Sequence, residues 1–491
     1  MKSFFYLIVC IMGAYLTSNA QTILNLEDAV NIARENSPNI RQARLNLERN
    51  QELLNAQEAA LNSQFSLSVE PFYFSKSRTF QPILGTFNDT EEKRSGGTLT
   101  VSQPILLTDG TLFLRDNFQY RDSRSEFGGD TRNKLFSNNL ILSFNQPLFT
   151  YNRTRLALEN VKADLDYAYL SYIIRELSLE QNVAQLFFRA YQNKLALQVS
   201  REDLANTEAS YNIIDNKVKA GLSAQEELFQ AELNLITSRS TVQNSEVTLQ
   251  NAFDDLKQLI GLDLNQDISV VAEIEQEKVK IDINRAIKLG IANRLELRQR
   301  ELDIRSAKVS LVQAEASNEF KGNLSLSYGF FGNDEEYNKV FTKPDENQEL
   351  SISFDIPIFD WGEQESRENA ARASVRTSEL NEDEEKVGIV INLRKAIRSL
   401  ENQALQIELA KQNVKIAQQT YDINLERYEN GDLTSMDLNL FQNQLSTKKN
   451  NLIDALINYK LLLMDIKVQT LWDFEKDQAV DTNLLKTQDD N

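Results

Sequence analysis

The chain carries its own sequence twice. Asn25 to Ser68 aligns without a gap on Asp282 to Ser325, 257 positions later. Ala29, Asn36, Arg41, Leu45 and Glu58 recur as Ala286, Asn293, Arg298, Leu302 and Glu315. Further on, Phe144-x-x-Pro147-x-Phe149 recurs as Phe354-x-x-Pro357-x-Phe359, now 210 positions later. At that same distance Tyr211, Gly221 and Leu228 recur as Tyr421, Gly431 and Leu438. The change of offset locates one extra block of about 47 residues between Pro71 and Asn139. Solenoid units are only ~20–50 residues long. A repeat of this length is a duplicated half-protein, and whatever one half folds into, the other must nearly copy.

The first twenty residues stand outside the repeat. Lys2 followed by the apolar run Phe4 to Leu16 reads as a signal peptide, with small residues at Ser18 and Ala20 before a cut at Gln21. Beyond Ala20 no apolar stretch is long enough for a membrane-spanning helix. An exported chain of this kind can enter a membrane only as a closed β-barrel. The single cysteine, Cys10, lies in the signal segment, and the chain has no histidine. That removes disulfides, His-based triads and His metal ligands, so neither catalysis nor a metal or other cofactor is expected. A net charge of −19 makes nucleic acid a poor partner. Seven prolines and sixteen glycines in 491 residues predict long uninterrupted elements.

The hydrophobic period switches twice in each half. Leu26 to about Ser63 has helical spacing, interrupted early by Pro38. At Gln64 the period drops to 2. Phe65, Leu67 and Val69 alternate with Ser66, Ser68 and Glu70, and Leu140, Leu142 and Phe144 alternate with Ile141, Ser143 and Asn145. The second copy alternates in the same way from Leu324 and from Leu350. Runs of ~10 residues, apolar on one face and small-polar on the other, with aromatic residues at the ends, match strands of a membrane barrel. The extra block contains further alternation at Gly97 to Leu106 and a turn at Thr108-Asp109-Gly110. It reads as an additional hairpin over about 77–137, inside, outside or within the barrel wall.

The remainder is helix of unusual length. Asn152 to Lys219 has neither glycine nor proline, and Glu363 to Asn430 is interrupted only by Gly388. Apolar residues recur at spacings of 4 and 3, as in Leu393, Ile397, Leu400, Ala404 and Ile407, which is a diluted coiled-coil seam. Each run ends at a short turn, Gly221-Leu222-Ser223 or Gly431-Asp432-Leu433. Glycine there ends the helix in the left-handed conformation, and Ser223 or Thr434 can cap the next one, folding each pair into a helical hairpin.

The order helix, membrane hairpin, very long helix, glycine turn and return helix resembles the outer-membrane efflux protein family, the TolC-like channel-tunnels. So does the opening Leu26-Glu27-Asp28-Ala29-Val30-x-x-Ala33-x-x-Asn36-x-Pro38. The resemblance implies an α+β membrane protein and a homotrimer, in which four strands per chain build a shared twelve-stranded β-barrel in the outer membrane of a Gram-negative bacterium. Long helical hairpins continue it into the periplasm. The domains expected are a signal peptide (1–20), a first repeat (21–265), a linker (266–281), a second repeat with its hairpin at about 322–357 (282–470), and a polar tail (471–491). The implied function is a passive conduit of a tripartite efflux or type I secretion system, with a periplasmic adaptor and an inner-membrane pump as partners. The implied docking tips are Gly221, Leu222, Ser223, Gly431, Asp432 and Leu433. The implied gate residues are Tyr428, Glu227 and Asp437, with a Tyr428–Glu227 hydrogen bond as the latch. Against this stands an exported coiled-coil adaptor or scaffold, which the heptads would also fit.

Overall fold

A computed structural model describes residues 22–82, 85–125, 131–274 and 279–480. The expected signal peptide and the end of the polar tail lie outside the described residues. In chain order the elements are β1 (Thr22–Leu24), α1 (Leu26–Asn36), α2 (Pro38–Ala59), β2 (Gln64–Gln81), β3 (Thr86–Ile105), β4 (Gly110–Ser125), β5 (Thr131–Leu148), α3 (Arg153–Lys219) and α4 (Gln225–Ile260). There follow β6 (Ile268–Val270), α5 (Ile283–Asn293), α6 (Leu295–Glu315), β7 (Lys321–Asp334), β8 (Asp345–Asp355), α7 (Glu363–Asn430), α8 (Ser435–Thr470), β9 (Trp472–Asp473) and β10 (Gln478–Ala479). Helices α5 and α6 and strand β7 start 257 positions after α1, α2 and β2, and α7 and α8 start 210 after α3 and α4.

The first helix breaks where the chain chemistry demands it. Ser37 precedes a proline and is extended (ψ 128°), and Pro38 opens α2. The second copy breaks at the matching place without a proline: Arg294 is extended there (ψ 118°). Gly388 interrupts nothing, and α7 runs through it for 68 residues.

The fold divides into two compact units. One holds the described residues of 22–46, 169–298 and 383–480, and it is mainly helix. Its core is the coiled-coil seam. Leu179, Val183 and Phe187 of α3 pack with Leu256 and Ile260 of α4 and with Ala29 and Ala33 of α1. Leu400 and Ile407 of α7 pack with Ala455 and Ile466 of α8. Burying each large seam residue is worth about 1.5–3 kcal/mol. A polar seam position is put to use as well: Lys194 Nζ donates to Ser269 Oγ (3.0 Å) and to Val270 O (2.8 Å). That anchors β6, which pairs in parallel with β1, so part of the expected linker is a sheet segment.

The other unit holds the described residues of 47–168 and 299–382 and contains one six-stranded antiparallel sheet in the order β2-β3-β4-β5-β7-β8. The expectation of four strands per chain is corrected here. The inserted hairpin is β3–β4, and it lies in the sheet between β2 and β5. The reason is its alternation. Leu99 and Val101 fall on the same face as Leu67 and Phe65, so the ladder continues through the insertion with no change of face. The insertion is also shorter than 77–137, because β2 itself reaches Gln81.

Candidate functional site

Two surfaces carry the chemistry of this chain: the faces of the sheet and the helix tips. On the sheet, one register row runs Phe65–Val101–Leu114–Leu142–Tyr328 across five strands. A row of the other parity runs Gln64–Ser102–Phe113–Ser143–Ser327–Glu349 across all six. The first face is apolar and uncovered: Phe65 is 74% exposed, Leu142 45% and Ile352 55%. The second is mostly polar and bonded across strands, with Asn117 donating to Thr98 Oγ1 (2.6 Å) and Ser325 to Asn145 Oδ1 (2.8 Å). Aromatic clusters flank the apolar band. Phe118, Phe136, Tyr337 and Phe341 gather where β7 turns toward β8. Phe149, Phe320 and Phe354 gather at the opposite strand ends. One apolar and one polar face, with aromatic clusters at both ends of the strands, is the division that a lipid-facing barrel wall requires.

The insertion is tied to the helix that follows. Thr154 N and Thr154 Oγ1 both donate to Asp109 Oδ1 (2.9 and 2.6 Å), from the turn between β3 and β4. Asn152 accepts from Arg155 N (2.7 Å) and donates to Leu106 O (2.7 Å). In the second copy Asp360 does this work alone, accepting from the backbone N–H groups of Gly362 and Gln364 (both 3.0 Å).

At the tips, both helices end in the same motif. Gly221 (φ +73°) donates to Val218 O (3.0 Å) and Leu222 to Lys217 O (2.8 Å); Gly431 (φ +90°) donates to Tyr428 O (3.1 Å) and Asp432 to Arg427 O (2.9 Å). This is the Schellman end, and it needs a left-handed residue at each glycine. The two next helices start differently. Thr434 caps α8, accepting from Asp437 N (3.2 Å), and its hydroxyl donates to Asp437 Oδ2 (2.8 Å). Helix α4 starts at Ala224 with no side-chain cap, so Ser223 does not act as one.

The two tips are joined to each other. Tyr428 is 1% exposed, and its hydroxyl donates to Ser210 O (3.1 Å) of α3 and lies 3.1 Å from Ser435 Oγ. Burial pushes this phenol above its usual pKa, outweighing the opposing hydrogen bond with Ser435, and the charge of Glu227 adds to the rise, so it stays neutral. Lys217 Nζ donates to Tyr428 O (2.7 Å), and Ser435 N donates to Glu227 Oε2 (3.0 Å). Each charge suits its place. The ammonium lies at the C-terminal end of α7 and the carboxylate at the N-terminal end of α8, where the helix dipoles attract them. The direct Tyr428–Glu227 hydrogen bond expected from the sequence is replaced by an indirect link: both residues bond Ser435, because the buried ring aims its hydroxyl at α3. Asp437 is engaged in its own helix cap. Lys217, Ser210 and Ser435 were missed in the sequence. Only Lys217 carried a signal, as a basic residue in a last helical turn. The tip also exposes Leu222 (78%) and Met436 (66%), while Leu433 packs against the cluster around Tyr428.

Deeper in the same unit, Asp203 of α3 accepts from Gln442 Nε2 (2.9 Å), Ser446 Oγ (3.1 Å) and Ser238 Oγ (3.1 Å), binding α3, α4 and α8. A cleft of about 400 Å³ opens beside Arg34, Glu180, Lys460 and Lys467. Three of its cations are paired with acids that line it, Arg34 with Glu180 (3.4 Å), Lys460 with Glu475 (2.7 Å) and Lys467 with Asp473 (3.5 Å). Among the described residues no group of His, Cys, Asp or Glu is placed to hold a metal ion, and no helix is long and apolar enough to cross a membrane.

The model of the family described as outer membrane efflux protein matches residues 117–262 and 286–462. Nodulation protein T of Rhizobium leguminosarum bv. viciae is 21% identical over 346 residues, which are 67% of this chain and 68% of that protein. The cation efflux system protein CusC of Escherichia coli K12 is 22% identical over 358 residues, 70% of this chain and 74% of that one. Among solved structures, the CmeC outer membrane channel of Campylobacter jejuni shares the fold with a TM-score of 0.70 at 18% identity, covering 94% of this chain and 88% of that one.

Proposed function

The chain belongs to the outer membrane efflux protein family, and from that membership we propose how its parts work. It is an outer-membrane efflux channel of the kind used in tripartite export systems, with a TolC-like fold of mixed helix and strand. In this reading three copies share one barrel, and solutes pass through it without chemistry on the way. The helical hairpins form its periplasmic part. The tips at Gly221, Leu222 and Ser223 and at Gly431, Asp432 and Leu433 dock a periplasmic adaptor, which couples the channel to an inner-membrane pump. Lys217 and Glu227, through Tyr428 and Ser435, hold the two tips of one chain together, and adaptor binding separates them.

The observation that carries the reading is the two-faced sheet. Its apolar rows lie uncovered while its polar rows bond to one another, which is costly in water and natural in lipid. An exported coiled-coil adaptor would share the heptads, but it would leave those apolar rows without a purpose. The relatives' names point to different tasks, cation efflux in one and nodulation in another. Cargo choice accordingly lies with the pump rather than with this wall.

The test is fractionation followed by reconstitution. The protein should resist extraction by alkaline carbonate, need detergent, run as a trimer by native mass, and give discrete currents in planar bilayers. Release by carbonate as a soluble species would sink the reading.

A further inference from the structure

The sheet order leaves β2 and β8 as edges. Six strands cannot close a membrane barrel, whose smallest forms have about eight, and an open edge is not tolerated in lipid. We propose that β8 of one copy pairs with β2 of the next in a register already present inside the chain, so that three copies close an eighteen-stranded barrel. This rests on the trimeric reading above and goes beyond it in register and size.

The register follows from the duplication. Within the chain, β5 meets β7 with Phe144 opposite Leu326, Asn145 opposite Ser325 and Gln146 opposite Leu324. Moving β5 forward by 210 positions gives Phe354, Asp355 and Ile356; moving β7 back by 257 gives Val69, Ser68 and Leu67. The junction between copies therefore sets Phe354 against Val69, Asp355 against Ser68 and Ile356 against Leu67. An independent feature agrees. Phe354, Ile356, Val69 and Leu67 are 53%, 62%, 61% and 69% exposed, so the pairing brings uncovered apolar residues together on the lipid face. Ser68 lies on the polar face, and Asp355 follows Ser353 in alternation with Ile352 and Phe354. A slip of one residue would reverse both faces. The strand directions also fit, because neighbours in the six-stranded sheet alternate and β2 and β8 run opposite ways.

The same mapping shows what the insertion does. In the second half β7 pairs directly with β8, Leu324 opposite Ile352. The corresponding residues of the first half, Leu67 and Leu142, are instead separated by β3 and β4. Each copy thereby gains two strands. With ~4.8 Å between strands and a tilt of ~40°, the backbone diameter becomes about 36 Å rather than about 24 Å for twelve strands.

Two measurements test this. The first uses Ser68→Cys with Asp355→Cys in a Cys10→Ser background, oxidised in isolated membranes. Covalent dimers and trimers should appear. Ser68→Cys with Pro357→Cys should give few, because two residues of stagger carry the Cα atoms beyond the ~7 Å disulfide limit. The reverse preference in a protein of trimeric mass overturns the register, whereas a monomeric mass overturns the trimeric reading instead. The second is the barrel diameter in electron micrographs of the wild type and of a deletion of residues 86–125 with Thr150→Asp. The deletion should narrow the barrel by about a third. Equal diameters overturn the placement of the hairpin. If the deletion variant fails to assemble, a wild-type diameter near 24 Å overturns it alone.

Discussion

At the scale of single residues, the tips depend on charges that meet helix ends rather than on charges that meet each other. Glu227 receives the backbone N–H of Ser435, and Lys217 donates to the backbone carbonyl of Tyr428. Hydrogen bonds to charged groups are worth about 1.5–3 kcal/mol. Glu227→Gln with Lys217→Met should therefore raise the closed-state conductance in planar bilayers well above that of either single variant, and an unchanged conductance would exclude this pair as the latch. Gly431→Ala should cost about 1–2 kcal/mol, because a Cβ at φ +90° is strained although the space around it is open. It should appear as increased protease sensitivity at the tip. Tyr421 offers a pH test. Burial, then the charge of Asp203, push its hydroxyl up to about 12. The folded state holds the proton that the unfolded chain has already lost above pH 10, so this stability is fully present below pH 10. It falls by about 2–3 kcal/mol as the pH rises to about 12. Tyr421→Phe should flatten that alkaline loss in denaturant titrations. Tyr428 and Glu227 were legible as tip residues from their distance to glycine. Their partner was not, because a distance along the chain does not say which way a buried ring turns its hydroxyl.

At the scale of elements, the period of the sequence wrote most of the result. The switch from 3.6 to 2 at Gln64 and the glycine turns at 221 and 431 coincide with the observed boundaries. What the local signal lacked was tertiary. Pro38 explains one helix break, yet the matching break at Arg294 has no proline and is visible only through the repeat. Gly388 looked like an interruption, but one glycine costs a helix only about 1 kcal/mol, which a long packed helix tolerates. Thr98, Thr100, Leu99 and Val101 revealed the strand in the insertion without revealing its neighbours. The two faces make a direct prediction. Leu142→Arg on the apolar face should destabilise the protein folded in lipid by about 2–4 kcal/mol, and Ser143→Arg next to it should cost far less. Unfolding in lipid vesicles would measure both, and equal costs would contradict the assignment of faces.

At the scale of the whole molecule, duplication makes the chain two near-equivalent halves, of which one gives the six-stranded sheet four strands and the other two. The tips keep the equivalence, down to the Schellman bonds at Gly221 and Gly431. They expose Leu222 in one half and Met436 in the other. Leu222→Asp with Met436→Asp should abolish export while leaving the native mass and membrane insertion unchanged, measured by drug or dye accumulation against native mass. Export at the wild-type rate would remove these residues from the docking surface. The cap that Asp109 lends to α3 has a further consequence, for the history of the gene. Thr150 occupies the position that corresponds to Asp360, so Asn152 caps only the N–H of Arg155 locally and the N–H of Thr154 relies on the inserted turn. With Thr154 held by the inserted turn, excision of the insertion is not a neutral event. A lineage returning to the shorter form would lose the two Asp109–Thr154 bonds unless an acid at position 150 replaced them, which works as a ratchet that favours the longer sheet.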